Sequence, residues 1–394
     1  MRDELIEIVR RRAIPSPADS LVTWCARPSM PDALVPELRR RAGLVADWDT
    51  VLDLAEVHGL GPLLGTHLKA WVPDIPPKVS RQLTALLLWN RRANAVLFRV
   101  LADVVAALRD AGVEALVLKG PALVPLVYGD AGLRPITDLD LLVPAHQAVP
   151  AQRVLAGMGF AARVPASAHG VRRRHHLPGA TRMVEGVPVT VEIHRDGLHP
   201  DYGASLPYDG RAGQTMTVDL GVRQIPTLAP PLMLWHLCRH MTAVRHPFRL
   251  IWAADIIGFA DAFADGLDWD HLRRAHPFVL SSLALIHHVT PLPEQVRRRA
   301  GVVPGRVPSR VGEDYAGWPR ASAFVWDGWR ARADLVKQTL APPEWWLRLN
   351  YGVPGAWGRW QGTWRHVAAL SASLWRRASD VLPREDREPG SARR

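Results

Sequence analysis

The chain has 394 residues, enough for two or three domains, and its 48% hydrophobic content marks it as globular rather than disordered. A formal net charge of +11 favours polyanionic partners such as nucleotide phosphates, nucleic acid or an anionic membrane, although an Arg-rich composition produces such a charge by itself. Cys25 and Cys238 stand alone, which excludes a disulfide framework or a thiolate zinc cluster, and neither a secretory leader nor a run of about 18 apolar residues is evident, so a cytoplasmic location is expected.

In chain order, 48–71 reads as helical, with Val51, Leu52, Ala55, Val57 and Leu60 forming an apolar face. A Pro-rich break at 72–77 precedes a long helix, with Ser80 as the expected N-cap and Gly112 at its end. The period then changes. Residues 113–118 read as a strand, Gly120-Pro121 opens a short helix that ends near Gly129, and 136–143 form a second strand. A helix over 146–158 follows, then strands at 160–164 and 182–185. In 189–194, Val189, Val191 and Ile193 alternate with Thr190, Glu192 and His194. From 230 to 288 the pattern is helical again. This mixture of strands and helices predicts a small mixed α/β core. Helical segments flank it, which divides the chain into 1–79 (helical), 80–205 (core), 206–300 (helical) and 301–394. The last region holds nine of the sixteen Trp residues and ends, from Pro383, in a charged stretch expected to be disordered.

Asp138 and Asp140 carry the chemistry. Side chains at i and i+2 of a strand share a face, roughly 7 Å apart at the backbone, while Leu139 and Leu141 point the other way. Glu192 sits similarly between Val191 and Ile193. Neighbouring strands would bring the three carboxylates together, and hard oxygen ligands of this kind suit Mg²⁺ or Mn²⁺. Asp-x-Asp alone equally describes two hydrated residues at the end of an edge strand. The context adds Lys119 and Gly120 where a strand gives way to a helix, and Arg134 just ahead of the Asp pair.

These residues carry a family resemblance. Leu118-Lys119-Gly120, Tyr128, Leu133-Arg134-Pro135, 137–143 and Val191-Glu192-Ile193-His194 resemble the uncharacterised bacterial nucleotidyltransferases of the polymerase β-like superfamily. The likeness runs over roughly 45–295 and includes His236, His240, Leu250 and Asp255. It implies an α+β, mixed-sheet nucleotidyltransferase core that transfers NMP from an NTP, with ATP the expected donor, and releases pyrophosphate. Asp138, Asp140 and Glu192 would bind Mg²⁺ or Mn²⁺, Glu192 would help deprotonate the acceptor, and Lys119, Gly120 and Arg134 would hold the triphosphate. The acceptor is left open among a small molecule, a peptide or protein, and RNA. Pro121 departs from the superfamily pattern, because it offers no backbone N–H to a phosphate. A catalytically silent accessory protein that binds a nucleotide or peptide is the alternative, and an RNA-end-modifying toxin a third.

Other features have plainer readings beside functional ones. His236-Leu237-Cys238-Arg239-His240 places two imidazoles on one helix face, which suits packing or substrate contact better than zinc. Arg172, Arg173 and Arg174, followed by His175 and His176, form either a solvated loop or an electrostatic funnel. Residues 357–377 place Trp357, Trp360 and Trp364 at helical spacing, for packing or for contact with a peripheral partner or membrane. Because crowded carboxylates repel, Asp138→Asn and Asp140→Asn are both expected to leave stability unchanged or slightly raised.

Overall fold

The computed structural model describes residues 16–161, 175–198, 205–208, 214–241 and 249–302. Among the described residues, five α-helices precede the sheet: α1 (Pro17–Trp24), α2 (Val35–Gly43), α3 (Trp48–Val57), α4 (Gly61–Trp71) and α5 (Pro77–Asp110). Ser16 and Asp47 cap α1 and α3 by accepting backbone N–H groups with their side chains. The helical pattern beginning at Trp48 is split in two, because Pro62 in the first turn of α4 has no N–H to continue the preceding helix. Ser80 is not the cap of α5. That helix starts at Pro77, whose ring pre-sets the dihedral of a first helical residue, and the Ser80 N–H already bonds back to the Pro76 carbonyl.

The sheet has six strands: β1 (Leu116–Val117), β2 (Leu139–Leu142), β3 (Ala180–Val184), β4 (Val187–His194), β5 (Thr215–Asp219) and β6 (Gln224–Leu228). Their order is β3-β4-β2-β1-β6-β5. The β2–β4 and β1–β6 pairs are parallel and the others antiparallel, so the fold is mixed α/β as the alternating elements implied. The β5–β6 hairpin was not foreseen, and it brings part of the 206–300 segment into the sheet. Pro226 argues against a strand, and in edge strand β5 the alternation of Met216 and Val218 with Thr215, Thr217 and Asp219 is too short to stand out.

Leu139, Leu141, Val191 and Ile193 are wholly inaccessible and fill the core on one face of the central strands. α5 and α7 (Ala148–Gly157) both pack on β4. The buried Asn94 of α5 also holds the loop that leads into β2: its amide donates to the carbonyls of Ala131 (2.5 Å) and Arg134 (2.9 Å). Between β1 and that loop lie the single turn α6 (Gly120–Leu123) and a π turn, Val124–Tyr128.

After the sheet come α8 (Pro230–Met241), α9 (Leu250–Ala262), α10 (Trp269–Ala275), α11 (Pro277–Val289) and α12 (Glu294–Ala300). α9 meets the π turn at Gly258, where a Cβ would stand 2.2 Å from Val127 and 2.4 Å from Pro28, so no larger residue allows this approach. Arg27 joins the two ends of the described chain, donating to Thr290 Oγ1 (2.6 Å) and to the Pro291 carbonyl (2.8 Å). No described helix is long and apolar enough to cross a membrane. The basic residues Arg172 to Arg174, most of the expected 160–164 strand, the Trp-bearing 357–377 segment and the charged tail lie outside the described residues.

Candidate active site

In the parallel β2–β4 pair, Asp140 is the register partner of Glu192, and Leu142 that of His194. The two-residue period therefore sends Asp140, Glu192 and His194 to the face opposite Leu139, Leu141, Val191 and Ile193. Asp138 immediately precedes β2, two residues before Asp140. Burial and the neighbouring Asp140 charge raise its carboxyl above the ordinary range, with Glu192 adding to the effect and Lys119 and Arg134 opposing it.

Asp140 is the most enclosed of these carboxylates, and a cation sits on each of its oxygens. Lys119 Nζ lies 2.9 Å from Oδ2 and His194 Nε2 lies 2.8 Å from Oδ1. Burial alone would neutralise Asp140, but the two cations hold it well below its usual pKa. Burial likewise works against charge on His194, yet Asp140 and Glu192 raise its pKa to about 9. Glu192 Oε2 faces His194 Nε2 at 3.6 Å and His176 Nδ1 at 3.8 Å. The neighbouring His194 holds Glu192 ionised against a partial burial penalty. The rings of His175, His176 and His194 pack together with centroids 4.3–5.6 Å apart.

His194 sets a pH dependence. Its folded pKa of about 9 lies above the ordinary value of 6.5, so its contribution is complete below pH 6.5 and is lost as pH rises through 9. His236, His58 and His67 are held neutral by burial, at about 3, 4 and 4, so their contributions fade as pH falls below 6.5. The metal-free protein should melt highest near pH 6.5. The loss toward pH 9 should reach about 3 kcal/mol and should be absent in His194→Gln. Thermal melts across pH 5–9 check this, and a flat alkaline limb in the unsubstituted protein would contradict it.

Lys119 reaches Asp140 from a left-handed backbone (φ +53°), a strained conformation for a residue with a side chain. The neighbouring Leu118 N–H donates to the Asp140 carbonyl at 3.0 Å, which stitches this turn to β2. Gly120 follows, buried against Arg134, and a Cβ there would stand 2.5 Å from Arg134 Nη1. That guanidinium cannot step aside freely. It donates from Nε (3.2 Å) and Nη2 (2.8 Å) to the two oxygens of Asp255, and from Nη1 to the Pro135 carbonyl (2.9 Å). Tyr128 adds an O–H donor to Asp255 at 2.6 Å. Gly120→Ala should therefore lower stability by about 1–3 kcal/mol and disturb the site with it. Denaturant titration tests this, and an unchanged midpoint would contradict it.

Of the expected site residues, Asp138, Asp140, Glu192 and Lys119 act electrostatically on one another. Gly120 and Arg134 adjoin them, with Arg134 held by Asp255. The sequence reading gave no role to His194, whose alternation with Glu192 was the available signal, or to Asp255, whose pairing spans 121 residues. Among the described residues, Asp140, Glu192 and His194 can each offer a ligand atom within 4.8 Å of the others, a group able to hold a metal ion. His236 and His240 share a face of α8 as expected, with ring centroids 6.4 Å apart.

A family model described as uncharacterised nucleotidyltransferase matches residues 45–289. No curated protein and no solved structure matches the chain.

Proposed function

Because the chain belongs to the uncharacterised nucleotidyltransferase family, we propose that it transfers a nucleoside monophosphate from an NTP, ATP first among them, to an acceptor hydroxyl or phosphate. The acceptor oxygen bonds to the α-phosphorus as the bond to the bridging oxygen of the β-phosphate breaks, and pyrophosphate leaves. The observation that carries this reading is the Asp140–Glu192 register, which puts two carboxylates side by side on the face opposite Leu139 and Val191, with Asp138 two residues upstream.

The donor set fits a hard divalent cation, Mg²⁺ or Mn²⁺: ionised carboxylates that burial would otherwise penalise, with one imidazole beside them. Asp138, Asp140 and Glu192 would hold it. When bound, such a cation offsets charge on the attacking and leaving oxygens. Glu192, ionised and partly exposed, accepts the acceptor's proton on Oε2, and His194 fixes the orientation of Glu192 and Asp140. Lys119 supplies positive charge to the triphosphate. Gly120 lets Arg134, anchored on Asp255, pack directly against the turn that carries Lys119 and support it from behind.

One observation favours a second reading, a catalytically silent nucleotide- or peptide-binding accessory protein. Both oxygens of Asp140 are already ion-paired within the chain, and Pro121 withholds an N–H from the phosphate turn. Calorimetric titration with each NTP, with and without Mg²⁺, tests the enzyme reading. At least tenfold tighter binding with Mg²⁺ is expected, and equal affinity in both conditions would contradict it.

A further inference from the structure

The metal-ligand reading of Asp140 meets an obstacle within the chain itself. Asp140 is only 2% exposed, and the Lys119 ammonium occupies Oδ2 while His194 occupies Oδ1. A dication arriving at Oδ2 would stand against an ammonium whose own contact with that oxygen is 2.9 Å. Lys119 is therefore in the way of the ion that the carboxylates are arranged to hold.

A second feature lies beside it. His236 of α8 is completely buried, yet among the described residues neither of its ring nitrogens has a hydrogen-bond partner. Buried polar atoms are nearly always paired, so an unpaired ring calls for an explanation. Among charged groups, Lys119 acts most strongly on this ring, ahead of Asp140 and His194. A neutral imidazole has one lone pair able to accept from an ammonium.

We infer that Lys119 is a displaceable internal counter-ion: it neutralises Asp140 in the metal-free protein and yields that oxygen when a divalent cation enters, with the unpaired nitrogen of His236 as its second resting place. This rests on the proposed metal site and adds its regulation. The strained backbone of Lys119 suits such a residue, since the conformation persists only while its surroundings enforce it. In the closed position the pair spares the protein a buried, uncompensated carboxylate. In the open position the ammonium stays within the site, available to the phosphates of an incoming nucleotide, so cation and nucleotide should bind cooperatively.

The test is Mn²⁺ binding to the full chain without nucleotide, followed by calorimetry and by the paramagnetic resonance of free Mn²⁺, with thermal melts to confirm folding. Lys119→Met should bind Mn²⁺ at least tenfold more tightly than the unsubstituted protein and should lose the mutual enhancement between Mn²⁺ and ATP. His236→Leu, which leaves the ion pair intact but removes the second resting place, should bind Mn²⁺ several-fold more weakly. A folded Lys119→Met with unchanged or weaker Mn²⁺ affinity would overturn the counter-ion role. If that variant does not fold, His236→Leu with unchanged affinity would overturn it instead. Absence of Mn²⁺ binding in every form would remove the metal site itself, and the counter-ion role with it.

Discussion

Asp138→Asn and Asp140→Asn should abolish nucleotidyl transfer alike but move stability in opposite directions. Each removes a carboxylate from the proposed metal site, and losing preorganised charge stabilisation of this kind costs on the order of 10²–10³-fold in rate or more. Their folded states differ because their partners differ. The Asp138 carboxyl is raised by burial and by Asp140, so neutralising it relieves repulsion and should leave stability unchanged or up to about 1 kcal/mol higher. Asp140 is buried between Lys119 and His194. Neutralising it strands an ammonium and an imidazolium, and breaking a buried pair in this way costs about 3–5 kcal/mol. The carboxylate-repulsion argument from sequence, applied to both residues, is kept as the expectation for Asp138 and revised for Asp140, because the sequence did not show its two cations. Paired denaturant titrations and transfer assays check the contrast, and equal stability of the two variants would refute it.

The second large effect is expected away from the carboxylates. Asp255→Ala should destabilise the protein by about 3–5 kcal/mol, because it leaves the Arg134 guanidinium buried without its bidentate partner and removes the acceptor of the Tyr128 hydroxyl. For a protein of this size that corresponds to a fall of about 4–6 °C in melting temperature. Arg134→Lys should also be costly, since an ammonium cannot reproduce two parallel N–H donors. Tyr128→Phe should cost only about 1 kcal/mol, because the Arg134 pair survives it. Calorimetric melts of the three variants check the ranking, and an Asp255→Ala melt within 2 °C of the unsubstituted protein would contradict it.

What the sequence revealed depended on the range of the interaction. The β2 and β4 strands were legible because Leu139, Leu141, Val191 and Ile193 alternate with polar residues, and alternation is a local property. That they are parallel neighbours was not legible in the pattern, which left their adjacency as a condition. α5 was legible over nearly its whole length, but its cap was misplaced because Pro77 starts the helix before Ser80. The β5–β6 hairpin was not legible, since the alternation of its edge strand covers only Met216 and Val218 and Pro226 points away from a strand. Within the site, the carboxylates stood out as polar residues in apolar strands. The ion pairs that decide their charge states did not. Lys119–Asp140 joins residues across a turn and a loop, and Arg134–Asp255 joins the loop before β2 to α9. Such pairings follow from the packing of distant elements, which no local spacing records.

The most direct test of the central claim is transfer of label from α-labelled NTP, with γ-labelled NTP in parallel, comparing the unsubstituted protein with Asp138→Asn in Mg²⁺ or Mn²⁺ and cell extract. Asp138→Asn is the suitable variant because its fold is expected to survive. The account predicts that the unsubstituted protein attaches the α-label to an acceptor while the γ-label appears in pyrophosphate, and that the folded variant does neither. Transfer by a folded Asp138→Asn at the unsubstituted rate, or attachment of the γ-label to the acceptor, would contradict it.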